Sequence, residues 1–400
     1  MGVDRKEFLR LLGLGATAPL LLGCDRSAAA GGGSAAGDGA AGVQDLPEVT
    51  WPPYGNTVVV DALAGPLPIS IPQGSLPLTE AALEAVRTSG ITAVNVTVNA
   101  IPTDGLGAYE AARAKMDGWI REAGARPELL SVARDVGDIQ AAKDSSRLGL
   151  ILGFQDATPF EDDLARLDEF YGDGVRIVQL TYNVENRVGF GCLAPEDRGL
   201  TELGREVVAR LDELGVLIDL SHCGPRTSLD GVRASVNSVS FTHTGCNAVY
   251  QHPRNKDDET LRLLADRGGV VGIYLMPFLN PEGEPTTAHV LDHIDHALNV
   301  CGADHVGIGS DQGIIPLDVS GGFQEQFDAV SAQRAALGIA APREDTVPYV
   351  PELNHPRRME TIAGMMASRG HSDAVIEKVM GANFMRLFGE VWGDARSLDP

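Results

Sequence analysis

Eight short runs rich in valine, isoleucine and leucine punctuate this chain, at 58–62, 93–98, 148–154, 176–181, 216–220, 239–242, 270–274 and 305–309. Between them lie amphipathic stretches, so the chain reads as repeated βα units feeding a parallel sheet. Eight is the number of strands that closes a (β/α)8 TIM barrel, and the fold class is therefore α/β. Helical patterns occupy 80–87 and 202–214. A third, at 257–265, starts on acids and stops before Gly268-Gly269, as a capped helix should. Residues 313–356 are richer in Pro and Gly and are expected to loop over the barrel mouth; 373–388 read as a closing helix. No internal repeat is visible, and residues 47–400 are expected to form one barrel.

The chain carries 55 acidic against 32 basic side chains, a net charge of −23. Such a field repels nucleic acid and anionic lipid, and both are excluded as partners. The front of the chain differs in kind. Arg5 and Lys6 precede an apolar stretch that ends Leu20-Leu21-Leu22-Gly23-Cys24, the order of an export signal. Residues 1–24 resemble a twin-arginine signal of a bacterial lipoprotein, with Lys6 in place of the second arginine; the resemblance implies lipid attachment at Cys24. Residues 25–46, rich in Ala, Gly and Ser, cannot form a core and are expected to tether the folded part. The expected location is the periplasm or cell envelope. Cys192, Cys223, Cys246 and Cys301 match no zinc or redox spacing and read as small buried hydrophobes.

His222 and His243 close two successive strand-like runs, and Asp311 follows the eighth. A barrel presents its functional groups at the C-terminal ends of its strands, so these three are the first candidates for a metal site or a general base. His289, His293 and His296 share one amphipathic stretch without the Glu that a zinc-protease helix carries; they read as a helical face. His252 and His305 also read as structural.

From about 58 to 391 the chain resembles the membrane dipeptidase (renal dipeptidase) family of zinc peptidases, barrel enzymes related to the amidohydrolases. The pieces that carry the resemblance are Leu217-Ile218-Asp219-Leu220-Ser221-His222, Thr242-His243-Thr244, His252-Pro253-Arg254-Asn255, Asp304-His305-Val306-Gly307-Ile308-Gly309-Ser310-Asp311 and Gly381-Ala382-Asn383-Phe384-Met385-Arg386. The resemblance implies His222 and His243 as metal ligands, Arg254 with its neighbour Asn255 as substrate contacts, and Asp311 as a retained carboxylate. The chain departs from the family elsewhere. Leu63 and Gly65 stand where a His-x-Asp pair would hold a first zinc, Gln155 replaces the bridging glutamate, and Tyr182 replaces a substrate-binding histidine.

Two divalent ions about 3.5–4 Å apart repel, and a bridging carboxylate offsets that repulsion. With those anionic ligands gone, one zinc is expected in place of two, held by His222, His243 and a neutral oxygen from Gln155. Two histidines and a carboxylate also suit ferrous iron. Asp156 faces the other way on its strand and does not replace Gln155. Asp311 is either a third ligand or the base that takes a proton from water. Tyr182 either donates to an oxyanion or packs in the core. Arg254 suits a substrate carboxylate, which a planar guanidinium grips with two hydrogen bonds. The expected activity is hydrolysis of an amide in a dipeptide-like substrate. The alternatives are an envelope binding protein that has lost chemistry, and a tailoring enzyme for a secreted peptide metabolite. A homodimer is admitted as a partner arrangement.

Overall fold

The computed structural model describes residues 50–69, 73–99, 107–160 and 163–393; the expected signal, Cys24 and the tether lie outside the described residues. The strands are β1 (Val60–Asp61), β2 (Ala64–Gly65), β3 (Ala93–Thr97), β4 (Leu130–Val132), β5 (Leu148–Phe154), β6 (Val175–Gln179), β7 (Leu217–Asp219), β8 (Ser240–Thr244), β9 (Val270–Ile273), β10 (Val306–Ile308) and β11 (Gln312–Gly313). Eight of them pair in parallel in the order β1-β3-β5-β6-β7-β8-β9-β10. The Ala62 amide donates to the Ile308 carbonyl at 2.9 Å and brings the last strand back to the first. All eight apolar runs are the staves of this barrel. A ninth strand, β4, lies beside β5, and β2 pairs with β11 above the rim.

The helices begin where their sequence tells them to. Thr201 caps Glu202–Leu214 by accepting from the Gly204 amide, and Gly215 ends it at φ 67°, a conformation that glycine adopts without strain. Asp257 caps Asp258–Asp266 in the same way. The helix Thr287–Cys301 starts with a capping box between Thr286 and His289, which gives His289 a structural role.

The N-terminal end of the barrel is stoppered. Val60, Ala93, Ile151, Ile177, Leu217 and Val270, one from each of six strands, pack with Phe384, Leu387 and Phe388 of the helix Asn383–Trp392. Phe384 is fully buried there. Phe384→Ala is expected to cost about 3–5 kcal/mol, the range for emptying a buried aromatic site; urea denaturation of the two proteins measures it.

Two expectations need correction. Residues 313–356 do cover the mouth, but they include a 14-residue helix, Phe323–Ala336, where only loops were expected. The closing helix is not continuous. It runs as Asp373–Glu377, a π-helical turn Lys378–Ala382, and Asn383–Trp392. The interruption falls at Gly381, where a side chain would strike the Val58 carbonyl; the chain widens its turn to pass that backbone.

Candidate active site

At the opposite end, a cleft is lined by Gln155, Tyr182, His222, Arg254 and Asp311 from the barrel and by Phe327, Arg334 and Glu344 from the covering segment. His222 sits in the turn after β7 and His243 on the adjacent β8, so neighbouring staves bring their rings together. The two Nε2 atoms are 2.9 Å apart.

The hydrogen bonds on the far side of each ring decide where its proton is. His222 Nδ1 meets the Asn183 amide oxygen at 2.7 Å, an acceptor only, so Nδ1 carries the hydrogen and donates it. His243 Nδ1 meets the Thr242 hydroxyl at 2.8 Å. That hydroxyl has one proton, and it goes to Asp219 Oδ2 at 2.6 Å. Asp219 is an acceptor throughout: it also takes the backbone N–H groups of Ser221 and Thr242 and the Ser221 hydroxyl. Thr242 oxygen therefore accepts from His243 Nδ1–H. Both rings are left with bare Nε2 lone pairs that face each other. Burial, and after it the Arg254 guanidinium, pushes both imidazoles well below the usual histidine range, so neither takes a proton to relieve the contact.

Neutral imidazoles with Nε2 unprotonated, each braced through Nδ1–H by a carbonyl or a hydroxyl–carboxylate pair, are the ligands a transition-metal ion requires. Two nitrogens on a tetrahedral ion at about 2.0–2.1 Å stand roughly 3.3 Å apart, so the 2.9 Å pair has only to open by a few tenths of an ångström to share one. The donor set fits a divalent ion on these grounds. Among the described residues no third His, Cys, Asp or Glu completes a ligand group. Asp311 and Gln155 line the same cleft as His222.

The positions of a first family metal are filled by other structure. Leu63 is buried and its carbonyl receives the Asp311 amide at 2.8 Å, while Gly65 lies in β2, paired with β11. Asp61 is engaged by Arg358 at 3.1 Å and by Ser310. Asp156 is held by Asn99 and Thr158 and does not stand in for Gln155.

Asp311 follows β10 with φ 59°, a left-handed backbone that is rare outside glycine and tends to mark functional positions. Burial, with Asp61 and Glu344 adding to it against Arg254 and Arg334, pushes its carboxyl up to about 7. A carboxyl that titrates there can both accept and return a proton near neutrality.

Arg254 is almost fully buried and is not a surface ion pair. Its guanidinium donates to the Ser221 carbonyl at 2.6 Å and the His243 carbonyl at 3.3 Å, which leaves further N–H groups beside the cleft. Tyr182 stacks on the His222 ring at 4.2 Å. The Arg334 guanidinium lies 5.8 Å from the centre of the Tyr182 ring, and the phenol has an O–H to donate. Asn255 is a correction. Its side chain donates to the carbonyls of Tyr250 and Phe278 and accepts from Tyr274, so it braces the loop behind Arg254 and has no N–H left for a substrate.

The profile of the family described as Membrane dipeptidase (Peptidase family M19) matches residues 77–325. The chain belongs to that family. An amidohydrolase from Pseudomonas aeruginosa has the same architecture, at 30% identity and a TM-score of 0.73, over 85% of this chain and 98% of that one. An uncharacterized protein from the pqqA 5' region of Klebsiella pneumoniae is 26% identical over 275 residues, 66% of this chain and 89% of its own length. Dipeptidase tcpJ of Claviceps purpurea is 27% identical over 269 residues; the match spans 66% of this chain but 56% of that relative.

Membership in the membrane dipeptidase family accounts for the barrel, and the chain's own residues complete the mouth. Sequence reasoning missed Asn183, Asp219, Arg334 and Glu344. Asp219 carried a signal: an acid in the apolar run 216–220 has no place in a stave unless something inside the barrel needs it. The remaining candidates lie away from the mouth. His293 accepts from the Cys246 amide, His296 meets Asp258, and His305 meets the Gly269 carbonyl. The four cysteines at 192, 223, 246 and 301 are free, and burial holds the Cys223 thiol up at about 11.

Proposed function

We propose that the cleft hydrolyses an amide bond in a small, carboxylate-bearing, dipeptide-like substrate, with one divalent ion, zinc or iron, held by His222 and His243. The observation that supports this reading is the meeting of two buried, neutral imidazoles, each braced at Nδ1, with their Nε2 atoms 2.9 Å apart. When bound, the ion supplies Lewis-acid chemistry to the scissile carbonyl and the attacking water. One ion and not two follows from Leu63, Gly65 and Gln155, which remove the charge that would balance a second.

The rest falls to side chains of the cleft. Arg254 binds the substrate carboxylate through its spare N–H groups. Tyr182 directs its O–H at the carbonyl oxygen as negative charge develops there. Burial raises the Tyr182 pKa, so the phenol keeps its proton for that purpose. Asp311 accepts a proton from water and returns it to the leaving amine. Metal analysis of purified protein with a dipeptide assay tests the reading: about one ion per chain is expected, with turnover lost to a chelator and restored by metal. A chain that takes up no metal and cleaves no dipeptide is a binding protein instead.

Arg254→Lys keeps the charge but loses the fork. We expect KM for a free-acid dipeptide to rise about 10- to 100-fold, as charge-assisted bidentate bonds weaken. The C-terminally amidated dipeptide, already lacking the carboxylate, should change little. Equal losses for both would remove the carboxylate-binding role.

The same reading has the barrel exported and anchored at the envelope through Cys24. Incorporation of labelled fatty acid, lost in Cys24→Ala, is the expected result; incorporation that persists in the variant sinks the anchor.

A further inference from the structure

Asn183 ties the cover of the cleft to the ring of His222. Its side chain is buried and fully used. On one edge the amide NH2 donates to the Ile339 carbonyl at 2.9 Å and to Glu344 Oε1 at 3.3 Å, both in the segment that covers the mouth. Those partners only accept, so the NH2 must face them and the amide oxygen must face the other way. There it receives His222 Nδ1–H at 2.7 Å and the Cys192 thiol at 3.5 Å. Glu344 is fixed in turn by Arg334 at 2.6 Å, on the covering helix Phe323–Ala336. Arg334 also lies 5.8 Å from the ring of Tyr182, which stacks on the same imidazole.

We infer that Asn183 is a positioning residue through which the docked cover, by way of Ile339 and Glu344, fixes His222 as the Nδ1–H tautomer and so keeps its Nε2 lone pair available. The inference rests on the metal-holding role proposed for His222. The alternative tautomer lies close at hand. If His222 carried its hydrogen on Nε2, it would donate across 2.9 Å to the bare Nε2 of His243, satisfying both rings and closing the position to an ion. Nothing on His222 itself disfavours that state. Asn183 does, because its oxygen can only accept, and its oxygen faces His222 only while the cover occupies the NH2. A cover that lifts frees the amide to turn and offer NH2 to Nδ1, which selects the closed state. Substrate enclosure and ligand readiness are thereby the same event.

The tautomer can be read without metal or turnover, from ring-15N-labelled histidine in the metal-free protein, with the other histidines reporting that the barrel is folded. The expected wild-type His222 signal is Nδ1–H. Asn183→Leu should shift His222 toward Nε2–H and weaken zinc binding by about 10- to 100-fold, the loss typical when a ligating histidine loses its brace. Asn183→Asp, which still accepts from Nδ1–H, should restore both. Glu344→Leu should shift the tautomer part-way, and Glu344→Gln, which keeps an acceptor for the NH2, should not. An Nε2–H tautomer in the wild type, an unchanged tautomer in Asn183→Leu, or no rescue by Asn183→Asp overturns the inference. If the tautomer follows these variants while the wild type binds no zinc, the coupling stands and the proposed hydrolase reading falls.

Discussion

His243→Ala should strip the protein of its ion and lower dipeptide turnover by more than about a thousandfold. The ion's Lewis acidity contributes several kcal/mol to a transition state that develops charge, and about 4 kcal/mol is three powers of ten. His243 is the ligand to remove because its ring lies wholly inside the barrel. Metal content and kcat/KM should fall together. Near-ultraviolet circular dichroism separates this from unfolding, since the variant also deprives Thr242 of a partner. A variant that retains its metal and works within tenfold of the parent would remove His243 from the site.

Asp311→Asn should have two effects of opposite sign. As the base, Asp311 must be ionised, so kcat/KM rises with pH through a limb at about 7, moved lower when a cation is bound nearby. The asparagine variant should lose about 10²- to 10⁴-fold in rate, and that limb with it. Stability should move the other way. The carboxyl is held above its unfolded value, so the native state binds the extra proton, and the contribution of this group to stability falls as pH rises from about 4 to about 7. Asparagine carries no such liability. Above pH 7 the metal-free variant should therefore be more stable than its parent, by at most about 4 kcal/mol, while below pH 4 the two should agree. Urea denaturation across pH reads this directly. A variant that is both inactive and destabilised at pH 8 would mean that Asp311 holds the fold rather than a proton.

The barrel was legible because each stave is buried on both faces and is written as an unbroken apolar run. The histidines were legible because strand ends are where a barrel places chemistry, and the family resemblance added Arg254. What escaped was of two kinds. The helix Phe323–Ala336 buries only Phe323 and Phe327 and packs through no continuous apolar stripe, so its residues carry little helical period to read. Asn183, Asp219 and Glu344 act on the site through another side chain. A residue of that kind is recognised by what lies opposite it in space, and the sequence places Asn183 and Glu344 161 positions apart. Asn255 misled for the converse reason: it adjoins a cleft residue along the chain while its side chain turns into the loop behind.

The stopper at the N-terminal end has a bearing on how the chain comes to be made. Phe384, Leu387 and Phe388 belong to the last described helix, yet they seal the interior whose first wall is Val60. All eight staves must be synthesised before the residues that form that seal exist. Until then the early staves wait with an open floor, exposed to aggregation and proteolysis. Replacing Phe384, Leu387 and Phe388 together by alanine should therefore harm the yield of soluble protein far more than it harms any property of the mouth.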